Sequence, residues 1–117
     1  MAADDQPFAP LILFEYDHKP GHYSLMLTDT HMVGVDAPFV AAGHEGGGYD
    51  WNAVALQAGR EAGIHGRFRT DPEAGMFVAY GTDLDALQIL ARALQVAHAD
   101  PKRLAALIDA ADPDDFD

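Results

Sequence analysis

The chain repeats itself. Phe14, Asp17, Gly21, Thr28 and Asp29 recur at one constant offset as Phe68, Asp71, Gly75, Thr82 and Asp83, and the aromatic Tyr23 recurs as Phe77. Each set carries the same physical order. Leu11 to Tyr16, or Ile64 to Thr70, is apolar and partly aromatic, the composition of a strand. A turn follows: Asp17-His18-Lys19-Pro20-Gly21, or Asp71-Pro72-Glu73-Ala74-Gly75. In both turns Asp bonds the backbone two residues on, Pro presets φ and Gly accepts positive φ. Tyr23 to Leu27, or Met76 to Tyr80, then closes a hairpin. The Thr-Asp pair stands where a helix begins.

In the second unit, Thr82 reads as an N-cap with Asp85 in capping-box position. The helix it opens runs from about Asp83 to His98 and carries Leu84, Leu87, Ala91 and Leu94 on one face. Asp100-Pro101 opens a last helix, with an N-cap and a first-turn proline. Leu104, Leu107, Ile108 and Ala111 give it an apolar stripe, and Asp112-Pro113 ends it. In the first unit, His31 to Ala42 holds a short helix broken or started around Asp36-Ala37-Pro38 and closed by Gly43. Asp50 reads as the N-cap of a helix from Trp51 to about Ala62, with Gly63 just past it. The order ββαα–ββαα predicts an α+β fold: two such units forming a four-stranded antiparallel sheet with helices packed on one face. The pattern leaves strand order open. One domain over 1–117 is expected, with 1–7 and 112–117 as flexible ends.

Charge narrows the function. Of 117 residues, 19 are acidic and 7 basic, a formal charge of −12, while 49% are hydrophobic, enough for a core. Nucleic-acid binders replace phosphate counterions with Lys and Arg; here Lys19 is the sole basic residue before Arg60. An anionic membrane surface repels such a chain as well. Neither nucleic acid nor membrane is therefore an expected partner. A basic protein is, although acidity also serves plain solubility. There are no cysteines, which excludes disulfide scaffolds, thiolate metal sites and cysteine nucleophiles and fits a reducing cytoplasm. Met1-Ala2-Ala3-Asp4-Asp5 is acidic where a signal peptide is basic. The longest apolar run, Phe8 to Phe14, is far short of the about 20 residues of a membrane span. A cytoplasmic location is expected.

Few residues offer chemistry. Ser24 is the single serine and has no nucleophile elbow around it. His18 and His22 flank a turn beside Asp17, which admits a metal-binding alternative, but no helical metal-ligand spacing supports it and solvated turn histidines outweigh it. No catalytic residue, metal or cofactor is assigned. The loop Gly43-His44-Glu45-Gly46-Gly47-Gly48-Tyr49-Asp50-Trp51 places four glycines before a helix. It lacks the Lys and Ser/Thr of a P-loop, and its carboxylates repel phosphate. It reads either as a flexible connection or as a recognition loop, with Tyr49 and Trp51 as anchors and Glu45 and Asp50 as charges. Trp51 also fits the buried stripe of its helix. The acidic end, Asp109 to Asp117, reads either as a solubilising tail or as a contact arm with Phe116 as anchor and Asp114 and Asp115 as charges.

Three stretches resemble a known family. Gly43 to Trp51, in the pattern G-x-x-G-x-G-Y-x-W, Asp71-Pro72-Glu73-Ala74-Gly75-Met76-Phe77-Val78-Ala79-Tyr80-Gly81, and Ala111-Asp112-Pro113-Asp114-Asp115-Phe116 are together similar to the immunity protein 51 family. The resemblance runs from about Leu11 to the C-terminus. It implies an antitoxin of a bacterial polymorphic toxin system, which binds a cognate toxin domain without catalysis of its own. It carries no established contact residues. The expected toxin-binding set, inferred from residue types, is Glu45, Tyr49, Asp50, Trp51, Asp114, Asp115 and Phe116. The expected mechanism is acidic occlusion of a basic active site, such as that of a nuclease. A homodimer, or a homo-oligomer of structural role, stays open as an alternative, since the repeat offers pseudo-symmetric apolar faces.

Overall fold

The structure, a computed structural model, describes residues 7–116. The expected flexible end at 1–7 lies, apart from Pro7, outside the described residues. Strands β1 (Ile12–Glu15) and β2 (Tyr23–Thr28) form the first hairpin. Two short 3₁₀ turns lead to α1 (Ala37–Ala41) and α2 (Gly48–Glu61). The second unit comprises β3 (Arg69–Thr70), β4 (Met76–Gly81), α3 (Leu84–Ala99) and α4 (Pro101–Ala110). The ββαα order thus appears twice, as the repeat requires.

The sheet is antiparallel with order β1-β2-β4-β3. The two hairpins meet through β2 and β4, whose register pairs Leu25 with Ala79. These two positions are equivalent in the repeat. A local twofold axis relating the units must therefore pass between them, and the strand order follows from it.

Alternation along the central strands separates two faces. Leu25, Leu27, Phe77 and Ala79 are fully buried and point at the helices. Ser24, Met26, Val78 and Tyr80 point the other way, to a face that no described helix covers. Against the inner face pack Trp51, Val54, Ala55 and Ala58 of α2, and Leu87, Leu90, Ala91 and Leu94 of α3, all in one core. From α4, Leu104, Leu107 and Ile108 complete it. The helices therefore lie on one side of the sheet.

Three local expectations need correction. The stretch Ile64 to Thr70 is a strand only at Arg69–Thr70. Gly63 and Gly66 have φ of +75° and +89°, which breaks the extended alternation and lets Ile64 plug the core at 1% exposure. Thr82 does not cap α3. Asp83 is the N-cap, and its carboxylate accepts the Ala86 N–H at 3.1 Å. Asp50 does not cap α2; the N-cap is Gly47, and Asp50 sits in the first turn. Past α4, Pro113–Phe116 forms a 3₁₀ turn, with the Asp112 carboxylate accepting the Asp114 N–H at 3.0 Å. The Asp100-Pro101 start of α4 is as expected, with Asp100 accepting the Lys102 N–H at 3.0 Å.

Asp83 also pairs with Arg67, at 2.8 Å. The Arg67 guanidinium, with help from the Ala86 N–H, holds the Asp83 carboxyl below its ordinary value of 3.8. A depressed carboxyl stabilises the fold above its unfolded pKa, and that contribution fades as pH falls through the folded one. Asp83→Ala is expected to lower Tm at neutral pH, and the gap from wild type should close below pH 3.8. Thermal melts followed by circular dichroism across pH 2–7 read this directly.

Candidate functional site

The two segments singled out by residue type, 44–51 and 112–116, meet. The His44 ring stacks flat on Phe116, with centroids 3.9 Å apart and planes within 7°. They line a groove of about 260 Å³ with Gly43, Glu45, Gly47, Tyr49, Asp50 and Ala74. Ala74, from the Asp71–Gly75 turn, is a wall the sequence reading missed.

The glycines are the reason the wall is there. The Gly48 N–H donates to the Ala74 carbonyl at 2.9 Å. A Cβ on Gly47 would stand 2.7 Å from that same oxygen, and one on Gly48 would overlap the Glu73 carbonyl. The loop's backbone thus lies directly on the turn's backbone, an approach only glycine permits. Of the two earlier readings of these glycines, flexible connection or recognition loop, the geometry replaces the first with a tight seam.

Asp50 fastens the seam. Its Oδ2 accepts the Gly46 N–H at 2.6 Å and the Gly47 N–H at 3.2 Å. Its Oδ1 lies 3.8 Å from His44 Nδ1. The amides of Gly46, Gly47 and Gly48 are therefore all engaged, by a carboxylate or a carbonyl. None of the three is left to bind a phosphate.

Each expected contact residue now has a place. Glu45 is exposed, and Tyr49 is 44% exposed at the groove. Phe116 is half-buried, with its ring held by His44. Asp114 is exposed on the terminal turn. Asp115 lies 3.3 Å from Arg60 of α2, which ties the turn to the helix; an ion pair this exposed adds little stability by itself. Asp50 is 8% exposed and serves its own loop. Trp51 is fully buried, packed between Phe39 and His98 with ring centroids at 5.5 and 6.1 Å. The geometry places Trp51 in the core and not at the groove.

A second cleft, of about 210 Å³, shares Glu45, Gly47 and Ala74 with the first and adds Asp29 and Asp36. Residue type alone had not selected these two. For Asp29 the signal was the repeated Thr-Asp pair, which in this unit opens only a 3₁₀ turn. Three carboxylates, those of Asp29, Asp36 and Glu45, therefore line one cleft at one end of the sheet. His18, His22 and Asp17 sit at the other end. Among the described residues, no three His, Asp or Glu side chains gather closely enough to hold a metal ion.

The two clefts of this α+β protein share Glu45, Gly47 and Ala74 and open side by side. The chain matches the model of immunity protein 51 over residues 11–113 and belongs to that family. No curated protein and no solved structure matches it. The family implies a protein toxin as partner. Among the described residues, no helix is long and apolar enough to cross a membrane.

The seam makes a test possible. Gly48→Ala forces backbone against backbone and is expected to cost about 3 kcal/mol or more. Asp50→Ala strands the buried Gly46 amide and is expected to cost about 2 kcal/mol. Glu45→Ala, on the exposed rim, should stay within about 0.5 kcal/mol of wild type. Urea unfolding of the three variants gives the comparison.

Proposed function

We propose that this chain neutralises a cognate toxin domain by stoichiometric binding, with the 260 Å³ groove and its acidic rim seated on a basic surface of the toxin. The observation that carries the reading is the His44–Phe116 stack. It joins two distant acidic segments into one preformed surface, so little ordering entropy is lost on binding. Tyr49 and Phe116 are the anchors, both aromatic and partly exposed, with the Phe116 ring held by His44. Glu45 and Asp114 steer, with Asp29 and Asp36 behind them. A net charge of −12 accelerates encounter with a basic partner, toward about 10⁸–10⁹ M⁻¹s⁻¹ at low salt. Slow release then depends on the anchors and not on the rim. A basic active-site cleft, as in a nuclease, is the surface these features fit. The chain acts by occlusion and performs no reaction of its own, in the cytoplasm of the cell it protects.

The test is co-expression of the toxin domain encoded beside this protein's gene, with and without this chain, in a sensitive host. Rescue is expected, with a one-to-one complex whose affinity falls steeply with salt. Tyr49→Ala and Phe116→Ala should each accelerate dissociation roughly tenfold or more, while Glu45→Ala with Asp114→Ala should mainly slow association. Absence of rescue and of any complex would sink the reading. Binding that persists unchanged in all of these variants would remove the groove from it.

A further inference from the structure

The second unit shows what the repeated aspartate can hold. Arg67 grips Asp83 with two hydrogen bonds, from Nε to Oδ2 at 2.8 Å and from a terminal nitrogen to Oδ1 at 3.3 Å. This is the two-pronged match of guanidinium to carboxylate. Asp29 is the same aspartate in the first unit. At the offset that relates the two units, Leu13 stands where Arg67 would be. The chain brings no other cation to the place. Lys19 is its sole Lys or Arg before Arg60. Among the described residues, the Lys and Arg ion pairs are made by Arg60, Arg67 and Arg103, and none of them reaches Asp29, Asp36 or Glu45.

Asp29 lines the cleft of about 210 Å³ with Asp36 and Glu45. Acids alone would make this only a solvated surface. The rest of the lining is apolar: Met32, Val33 and Ala74, beside Gly46 and Gly47. Met32 is buried, whereas Val33 is 71% exposed, the most open large apolar side chain among the described residues. The walls are fixed. Gly46 has φ of +91°, and a Cβ on it would stand 2.8 Å from the Asp36 Cβ, so loop backbone and aspartate lie in close contact. The Gly46 N–H is held in turn by Asp50. Because the cleft shares Glu45, Gly47 and Ala74 with the groove, a partner seated in one reaches the other.

The side chain that suits this place has an apolar stem and a positive head. Lys and Arg both lay their stems on apolar surface. The planar fork of Arg separates them, and Asp83 shows that the repeated aspartate accepts it. We infer that the toxin inserts one arginine into this cleft, its stem along Val33 and Ala74 and its guanidinium on Asp29, with Asp36 and Glu45 beside it. This rests on the proposed toxin binding. It moves Asp29 and Asp36 from steering to contact, and it names the toxin residue that the first unit lacks in its own sequence.

The deciding comparison removes the same charge from two places. Asp29→Asn with Asp36→Asn takes two charges from the cleft. Asp17→Asn with Asp109→Asn takes two from exposed positions that do not line it. Steering by net charge treats the two pairs alike. The inserted arginine predicts toxin affinity about tenfold or more weaker for the cleft pair, mostly through faster dissociation, with the control pair near wild type. Val33→Lys offers the cleft a cation from the chain itself and should weaken binding by a similar factor. Its site is exposed, so it serves as the test even where the cleft pair folds poorly, which circular dichroism reports. Each arginine of the toxin domain is then changed singly to alanine, and one of these changes should cost no further affinity in the cleft pair. Equal binding by the cleft and control pairs, together with wild-type binding by Val33→Lys, overturns the inference and leaves the proposed function intact. Coupling of the cleft to a toxin lysine and to no arginine overturns it as well. No complex with wild type overturns both readings.

Discussion

Asp50 sits where local folding and surface shape depend on one another. Its carboxylate is nearly buried and accepts two glycine amides. Without it, the Gly46 amide has no partner, and the loop loses the fold that presses Gly47 and Gly48 onto the Asp71–Gly75 turn. That contact brings Ala74 to the groove. The same side chain lies near His44, whose ring carries Phe116. A single acid in the first turn of α2 therefore orders a loop, docks it on the opposite hairpin and positions the ring on which the C-terminal turn rests. Charge so placed is structural. In a chain this acidic, a carboxylate's value to a partner depends on whether the protein has already used it.

The repeat works at the level of elements and fails at the level of residues. Both units run hairpin then helices, and the pairing of Leu25 with Ala79 shows that they are related across the centre of the sheet. The equivalent side chains nevertheless do different things. Phe68 is buried and packs on Gly59; Phe14 is exposed on the open face. Asp83 caps a long helix; Asp29 begins only a 3₁₀ turn and lines the acidic cleft. The second unit uses its copies to build the core. The first, with shorter and more irregular helices, leaves its copies at the surface.

Much of this was legible from the chain. Apolar, partly aromatic composition marked the strands at Tyr23–Leu27 and Met76–Tyr80, and the stripe of Leu84, Leu87, Ala91 and Leu94 marked α3, because burial follows period. The two segments of the candidate groove were legible from residue type. Their meeting was not, because a ring stack between His44 and Phe116 leaves no local periodic trace. Nor was the function of the glycines. A run of glycine signals that something comes close, but what comes close here is another backbone, and only the tertiary fold reveals it. The cap assignments at Thr82 and Asp50 failed for one reason: several residues near each helix start can accept a bond, and tertiary partners decide among them. Arg67 holds Asp83 at α3. At α2, the docked glycines pull the start back to Gly48.

The distribution of charge says more than its sum. An average of −12 conceals carboxylates already engaged inside the fold: Asp50 with two glycine amides, Asp83 with Arg67 and the Ala86 amide, and Asp115 beside Arg60. Field strength at contact distance is set by the nearest groups, since salt screens the rest beyond about 8–10 Å. Attraction from afar is set by the whole chain, whereas at contact distance only carboxylates not already engaged inside the fold, such as that of Glu45, present their full charge. Net charge thus governs the rate of encounter, and local arrangement governs which orientation is held. Long-range attraction and close contact thus fall on different residues: the many exposed acids, and the few side chains that the fold holds at the groove.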